Sequence, residues 1–141
     1  KEGLSLHEID SMLNKHSGLF GIAGVSDMRD IEKGIEEDDR LCKVAFDIYE
    51  YRIRKYIGSY VAAMNGVDAI VFTAGIGENT PAMRSKLVSN LPYLGISIDE
   101  DQNKKRGEDV EISTPDSKVK VFVIPTDEEV VIARDTAKIV S

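Results

Sequence analysis

The sequence predicts an α/β fold in which helices surround a small, mostly parallel sheet. Two apolar runs rich in strand formers, residues 68–74 and 119–124, lack polar alternation, which is typical of strands buried on both faces. Each run is followed by a glycine or proline turn and then by a helical pattern. In such folds ligands bind outside the carboxyl ends of the strands. The two turns at residues 75–79 and 125–129 are therefore the first places to look for a site.

Composition narrows the class of protein further. The 141 residues suffice for one domain and include 18 basic and 25 acidic side chains, a net charge of −7. This balance argues against a nucleic-acid or anionic-membrane partner, and no apolar stretch approaches the ~18–20 residues of a membrane span. A single cysteine, Cys42, and no leader-like segment indicate the cytoplasm. Because the chain starts at Lys1 and enters a helical pattern almost at once, we expect a fragment of a longer protein.

The first element is a helix with a clear start signal. Ser5 and Glu8 have the spacing of a capping box, and an apolar stripe continues to about residues 16–18. Residues 18–30 contain three glycines within seven positions and many apolar side chains, so we predict a loop that packs against protein or ligand.

A long helix and a buried strand come next. The acidic run at residues 36–39 suits a helix amino terminus, and apolar residues keep helical spacing up to Gly66, the expected stop. The strand at 68–74 then leads into the glycine turn at 75–79.

The remaining elements are shorter. Pro81 opens a helix that runs to about Asn90. We expect a short strand at 95–98, a polar loop or helical turn at 99–107 and a weak edge strand at 110–113. The second buried strand, at 119–124, feeds a terminal helix that ends near Val140.

The glycine turn is the most informative motif. Two glycines between a strand and a helix permit a sharp turn and close backbone approach to a ligand such as a phosphate. The segment is not a P-loop, because no Gly-Lys-Ser/Thr follows. Gly75, Gly77 and Asp99 also fit a dinucleotide fingerprint in which Thr80 replaces the third glycine. A tight turn without any ligand is the structural alternative.

The turn after the second buried strand contains three consecutive acids. Thr126 and Glu129 have capping-box spacing, which leaves Asp127 and Glu128 free at the strand edge. A carboxylate there could bind Mg²⁺ when a nucleotide supplies other oxygens. Acids in the first turn of a helix are also ordinary complements to its dipole.

A third candidate segment is residues 27–29. The Asp27 carboxylate could accept from a ribose hydroxyl, while Met28 and Arg29 could cover an adenine face. On its own this segment favours an ordinary surface loop.

Four motifs taken together resemble the acetate kinase family. They are Ser-Gly-Leu-Phe-Gly-Ile-Ala-Gly at 17–24, Asp-Met-Arg-Asp at 27–30, Phe-Thr-Ala-Gly-Ile-Gly-Glu-Asn at 72–79 and Ile-Pro-Thr-Asp-Glu-Glu at 124–129. The resemblance implies a carboxyl-terminal domain of the ribonuclease-H-like kind found in the actin, hexokinase and Hsp70 superfamily. It also implies phosphoryl transfer from ATP, with Mg²⁺, to acetate or propionate, giving an acyl phosphate and ADP.

The resemblance also implies roles for individual residues. Asp27, Met28 and Arg29 would face the adenosine, and Glu128 would lie near Mg²⁺. The adenine and phosphate side of the pocket would be lined by Gly75, Ile76, Gly77, Glu78 and Asn79. We assign no catalytic residue to this chain, because the family's phosphoryl-stabilising groups come from earlier in its sequence. We therefore expect the isolated chain to be inactive and the full-length enzyme to be a homodimer.

Two rival functions remain at this stage. One is a nicotinamide-dinucleotide domain of an oxidoreductase, which depends on Gly75, Gly77 and Asp99. The other is a non-catalytic interaction domain that keeps the fold and has lost the site.

Overall fold

The structure is a computed structural model that describes residues 3–140, apart from the side chain of Glu128. The chain divides into two compact units, Lys1–Ser59 and Tyr60–Ser141. The prediction that all residues form one domain of a longer kinase stays a prediction. No described helix combines the length and apolar character that crossing a bilayer requires.

The first unit is helical. Its elements are α1 (Leu6–Lys15), α2 (Gly18–Ala23), α3 (Met28–Glu36) and α4 (Arg40–Met64), the last of which continues into the second unit. The buried apolar side chains of this unit belong to α3 and α4: Met28, Ile31, Cys42, Ala45 and Phe46. Cys42 is a free cysteine, and its side chain is buried.

The start of α1 follows the sequence prediction. The Ser5 hydroxyl accepts from the Glu8 N–H at 3.3 Å, and the Glu8 carboxylate accepts from the Ser5 N–H at 2.8 Å. This reciprocal pair satisfies two amides that the helix leaves without partners. The pKa of Glu8 is lowered because its carboxylate accepts hydrogen bonds from the Ser5 hydroxyl, at 2.7 Å, and from the Ser5 N–H.

The prediction of a loop over residues 18–30 is wrong, because α2 and the start of α3 lie there. Gly18 and Gly24 have left-handed φ angles of 60° and 74° and stand at the two ends of α2. These glycines make the turns that bound a short helix, since a left-handed conformation is costly for other residues. Glycine density thus marks helix boundaries here.

The ends of α4 also differ in detail from the prediction. Asp39, the last acid of its run, caps the helix by accepting from the N–H groups of Leu41 and Cys42. At the other end Asn65, with φ 59°, takes the left-handed position that we expected at Gly66. The Gly66 N–H then donates to the Val61 carbonyl at 2.9 Å, which completes a Schellman motif.

The second unit contains a three-stranded sheet with helices. In chain order its elements are β1 (Ala69–Phe72), α5 (Ala74–Asn79), α6 (Pro81–Ser89), a 3₁₀ turn (Pro92–Leu94), α7 (Glu100–Asn103), β2 (Val110–Glu111), β3 (Lys120–Val123) and α8 (Glu128–Val140). The strand order is β1-β3-β2; β1 is parallel to β3, and β2 is antiparallel to it. The sheet is therefore mixed, and the prediction of a mostly parallel sheet was too strong.

The sheet core lies around β3. Two residues of β3 and two from β2 and the residues after it form a buried apolar cluster: Val121, Val123, Val110 and Ile112. Three partly buried side chains pack against this cluster: Phe72, Ile96 and Ile98. In contrast, β1 is an edge strand of the described sheet, and Val71 is 51% exposed. The prediction that β1 is buried on both faces is wrong for this chain.

The strand predicted at residues 95–98 is also absent from the described structure. Gly95 has φ 65° and closes the 3₁₀ turn, and Ile98 alone makes an isolated bridge to Ser113. The left-handed glycine interrupts the extended backbone that a strand needs.

Candidate functional site at the carboxyl edge of the sheet

The glycine segment, residues 75–79, lies at the carboxyl end of β1 and forms most of α5. We predicted a glycine turn here, whereas the structure has a six-residue helix. The chain enters it through Ala74, which has φ 60°, a strained conformation for a residue with a side chain. The turn from strand to helix is therefore as sharp as the sequence suggested, although its backbone is helical.

The two glycines of the segment have different surroundings. A Cβ on Gly77 would lie 3.4 Å from the Phe72 carbonyl carbon, so this glycine faces the strand. A Cβ on Gly75 would meet no atom within 4 Å. Open space therefore borders the backbone at Gly75, and the chain itself fills the space beside Gly77.

Every carbonyl of the glycine segment accepts a hydrogen bond. The Gly75 carbonyl accepts from the Asn79 side-chain amide at 2.9 Å, and the Ile76 carbonyl from the Thr80 N–H at 3.1 Å. The remaining three carbonyls accept from arginines: those of Gly77 and Glu78 from Arg84, and that of Asn79 from Arg106 at 3.1 Å. The carboxyl end of this short helix is thus fully satisfied without solvent.

Sequence reasoning missed Arg84. The residue lies on α6 among Met83, Leu87 and Val88, all of which are buried. An arginine within a stripe of core-facing apolar residues was the available signal, because arginines almost never become fully buried without a partner.

Glu78 joins the two turns at the sheet edge. Its carboxylate accepts from both the N–H and the hydroxyl of Thr126, at 2.9 and 3.1 Å. Because β1 and β3 are adjacent and parallel, the turns that follow them meet at one edge. The structure therefore brings the glycine segment and residues 125–129 together, as the sequence predicted.

The predicted capping box at the start of α8 is wrong. Thr126 is engaged with Glu78, and the cap is Asp127, whose carboxylate accepts from the Val130 N–H at 3.0 Å. Asp127, expected to be free, is the residue that the helix end uses. Its side chain fits the preference of N-caps for aspartate.

In the first unit, Asp27 and Arg29 bind each other. Asp27 caps α3 by accepting from the Arg29 N–H at 2.9 Å, and its two oxygens accept from Arg29 Nε and Nη2 at 3.0 and 2.6 Å. The Arg29 side chain is 87% exposed, while Met28 is buried. Of the predicted adenosine segment, Arg29 and Asp27 are accessible to a ligand.

Comparison with known proteins identifies the family. The chain matches the model of the Acetokinase family over residues 1–134. The chain belongs to the acetokinase family. The acetate kinase of Thermosipho africanus is 59% identical over 143 residues, and that of Halothermothrix orenii is 54% identical over 141 residues. Each match covers 99% of this chain and 35% of the relative, so the chain spans about a third of the relatives' length.

Solved structures agree with this membership. The crystal structure of Porphyromonas gingivalis acetate kinase matches 99% of this chain and 36% of its own, with a TM-score of 0.87 and 46% identity. The Entamoeba histolytica acetate kinase matches 97% of this chain and 37% of its own, with a TM-score of 0.88 and 34% identity. A propionate kinase from Francisella tularensis matches 93% of this chain and 33% of its own, with a TM-score of 0.82 and 41% identity.

The dinucleotide alternative finds no support in this acetokinase-family chain. Asp99, its candidate ribose-binding acid, caps α7 by accepting from the N–H groups of Asp101 and Gln102 at 2.8 and 3.1 Å. The spacing that suggested a fingerprint reflects an ordinary helix start.

The predicted metal ligand, Glu128, has its backbone at the start of α8, and its side chain lies outside the described part of the structure. Among the side chains that the structure describes, no three His, Cys, Asp or Glu form a cluster able to hold a metal ion. The carboxylates of Asp127 and Glu78 are engaged in hydrogen bonds. The described residues therefore do not fit a complete Mg²⁺ site.

Asp27 should titrate at an unusually low pH. Its hydrogen bonds from Arg29, and the Arg29 charge, lower the pKa of Asp27 to about 2. A carboxyl whose pKa falls on folding stabilises the fold above its ordinary pKa, and this contribution is lost as the pH falls through the folded value. In an NMR titration, the Asp27 carboxyl carbon should show a midpoint near 2. An Arg29→Gln variant should move this midpoint up toward the ordinary range, and an unmoved midpoint would contradict the assignment.

Proposed function

We propose that this chain supplies the nucleotide side of an ATP-dependent kinase that phosphorylates acetate or propionate. The products are an acyl phosphate and ADP. The observation that carries the proposal is the glycine segment at the shared carboxyl edge of β1 and β3, in a chain of the acetokinase family. Parallel strands that end beside each other form the usual ligand crevice of α/β folds.

Gly75 is the position where we place the nucleotide's closest approach. Open space borders its backbone, whereas Gly77 packs on Phe72. The carbonyl end of the segment is held by arginines, so the segment offers a rigid surface to a ligand. We place the adenosine at Asp27 and Arg29 as a further part of this proposal, and Met28, which is buried, leaves the predicted contact set.

In this proposal Mg²⁺ binds together with ATP, and Glu128 is the one carboxylate that this chain would contribute to it. A divalent ion neutralises phosphate charge during phosphoryl transfer. We assign no catalytic residue to this chain. The groups that stabilise the transferring phosphoryl belong, in this proposal, to residues outside it, so the isolated chain should form no acyl phosphate.

The proposal includes the setting of the enzyme. We place the chain in the ribonuclease-H-like superfamily of actin, hexokinase and Hsp70, in the cytoplasm, within a homodimer of the full-length enzyme. The mixed sheet flanked by helices is compatible with that fold family.

A titration of the 141-residue chain tests the proposal. Mg·ATP should shift the amide signals of residues 75–79, and NAD should not. Gly75→Ala should weaken nucleotide binding roughly tenfold, because its new methyl group enters the space given to the ligand. Gly77→Ala is the matched control, since its methyl group faces Phe72 and should change affinity less.

Two outcomes would contradict the proposal. Shifts produced by NAD alone would favour the oxidoreductase alternative. Equal nucleotide affinity in the Gly75→Ala variant and the unchanged chain would place the nucleotide elsewhere.

A further inference from the structure

Arg84 is a fully buried arginine with 0% exposure on α6. Burial lowers the pKa of its guanidinium, and the nearby charge of Arg106 adds to this effect. Removing a charge from water is costly unless polar partners replace the lost hydration. The partners of Arg84 therefore indicate why a cation occupies a position suited to an apolar side chain.

The guanidinium of Arg84 connects two helices that flank α6. Its Nη1 donates to the carbonyls of Gly77 and Glu78 at 2.6 and 2.9 Å, at the end of α5. Its Nε donates to Asn103 Oδ1 at 2.7 Å, and its Nη2 donates to the Asn103 carbonyl. A planar fork of donors can hold all four oxygens at once, which a lysine ammonium cannot do in the same geometry.

Asn103 is itself fixed. Its side-chain amide donates to the Pro81 carbonyl at 3.1 Å, to Ser85 Oγ at 2.8 Å and to Glu100 Oε2 at 3.2 Å. The residue is fully buried. Arg84 thus ties the glycine segment to a buried residue that is itself held by hydrogen bonds.

We propose that Arg84 is a positioning residue that fixes the carboxyl end of the glycine segment, and thereby the backbone that meets the nucleotide. The inference rests on the proposed nucleotide role of that segment. Arg84 does not touch the ligand in this account. It acts through the Gly77 and Glu78 carbonyls, which orient the peptide planes of the segment.

The main test compares Arg84→Lys with Leu87→Ala. Lysine keeps the charge and loses the fork, while Leu87 is an equally buried residue on the same helix and serves as the control for lost stability. Arg84→Lys should shift the amide signals of residues 77–80 and raise the dissociation constant for Mg·ATP roughly tenfold. Leu87→Ala should lower the unfolding temperature while leaving both readouts near those of the unchanged chain.

A measurement without any variant covers the case in which Arg84→Lys fails to fold. In the unchanged chain the Nε–H of Arg84 should exchange with solvent far more slowly than that of Arg52, which is exposed. Exchange at equal rates would overturn the proposal. So would amide shifts in Arg84→Lys that match those in Leu87→Ala.

The two proposals fail in different ways. If the unchanged chain shows no ATP-induced shifts, the nucleotide function fails. The exchange rate of Arg84 Nε–H and the amide shifts of Arg84→Lys then still decide whether Arg84 fixes the carboxyl end of the glycine segment. If nucleotide binds and Arg84→Lys weakens it no more than Leu87→Ala, the positioning role fails and the function stands.

Discussion

Asn103→Ala should lower the free energy of unfolding of the second unit by about 3 kcal/mol or more. Asn103 is fully buried and exchanges hydrogen bonds with Arg84, Pro81 and Ser85. Alanine would leave Arg84 Nε without its acceptor inside the protein, whereas the Pro81 carbonyl would keep its hydrogen bond from the Ser85 hydroxyl. The penalty is large because one unpaired donor belongs to a buried cation. Urea denaturation followed by circular dichroism measures the loss.

Two further variants make this prediction specific. Asp101→Ala, on the same short helix, removes an exposed side chain that pairs with Lys104 at the surface, and it should cost less than about 0.5 kcal/mol. Asn103→Asp keeps the volume and an acceptor for Arg84, but it places a second carboxylate beside Glu100 in place of the amide donor. The stability loss of Asn103→Asp should therefore lie between those of Asn103→Ala and Asp101→Ala. Equal stability of Asn103→Ala and Asp101→Ala would show that the buried network contributes little.

The sequence signals that succeeded are local ones. The Ser5–Glu8 capping box forms as predicted, and Pro81 stands at the first position of α6. The long helical stripe corresponds to α4, and the two apolar runs contain the parallel pair β1 and β3. In each case the determining interaction lies within a few residues or within one apolar period, which a single sequence displays directly.

The failures arise where a residue has a choice of partners. Thr126 has the spacing to cap α8, but its hydroxyl donates to Glu78, 48 positions away in sequence, and Asp127 takes the cap. Spacing along the chain cannot rank a local partner against a distant one. The sequence places two residues that could cap α8, Thr126 and Asp127, next to each other. This pair indicates that one of them is available for a different hydrogen bond.

The candidate site shows the same division. The position of the glycine segment at the sheet edge follows from the order of strand, turn and helix. The contacts that hold the segment in place do not follow from that order, because Arg84 reaches the segment from α6 and Asn103, which binds Arg84, lies on α7. A charged residue inside an apolar stripe signals a buried interaction, but its acceptors are main-chain carbonyls, which carry no sequence signature.

Gly34→Ala should destabilise the first unit by about 2 kcal/mol, although alanine is the better helix former by about 1 kcal/mol. Gly34 lies in α3, and an added Cβ would overlap Cys42 Sγ and lie 2.9 Å from Cys42 Cβ on α4. The two helices approach closely only because this position lacks a side chain. Thermal unfolding gives the stability, and Gly75→Ala, whose methyl group meets no atom within 4 Å, is the control that should lose none.

The thiol of Cys42 provides a second readout of the same contact. Burial raises the pKa of this thiol, and the charges of Asp39, Asp30 and Glu37 raise it further, so a thiol reagent should label the folded chain slowly. Forcing α3 away from α4 in Gly34→Ala should speed that labelling at a temperature where the chain is still folded. Cys42→Ala in the Gly34→Ala background removes the sulfur but keeps the 2.9 Å overlap with Cβ, so it should restore only part of the lost stability. Full restoration would mean that the sulfur alone sets the spacing of the two helices, and no restoration would place the strain elsewhere in α3.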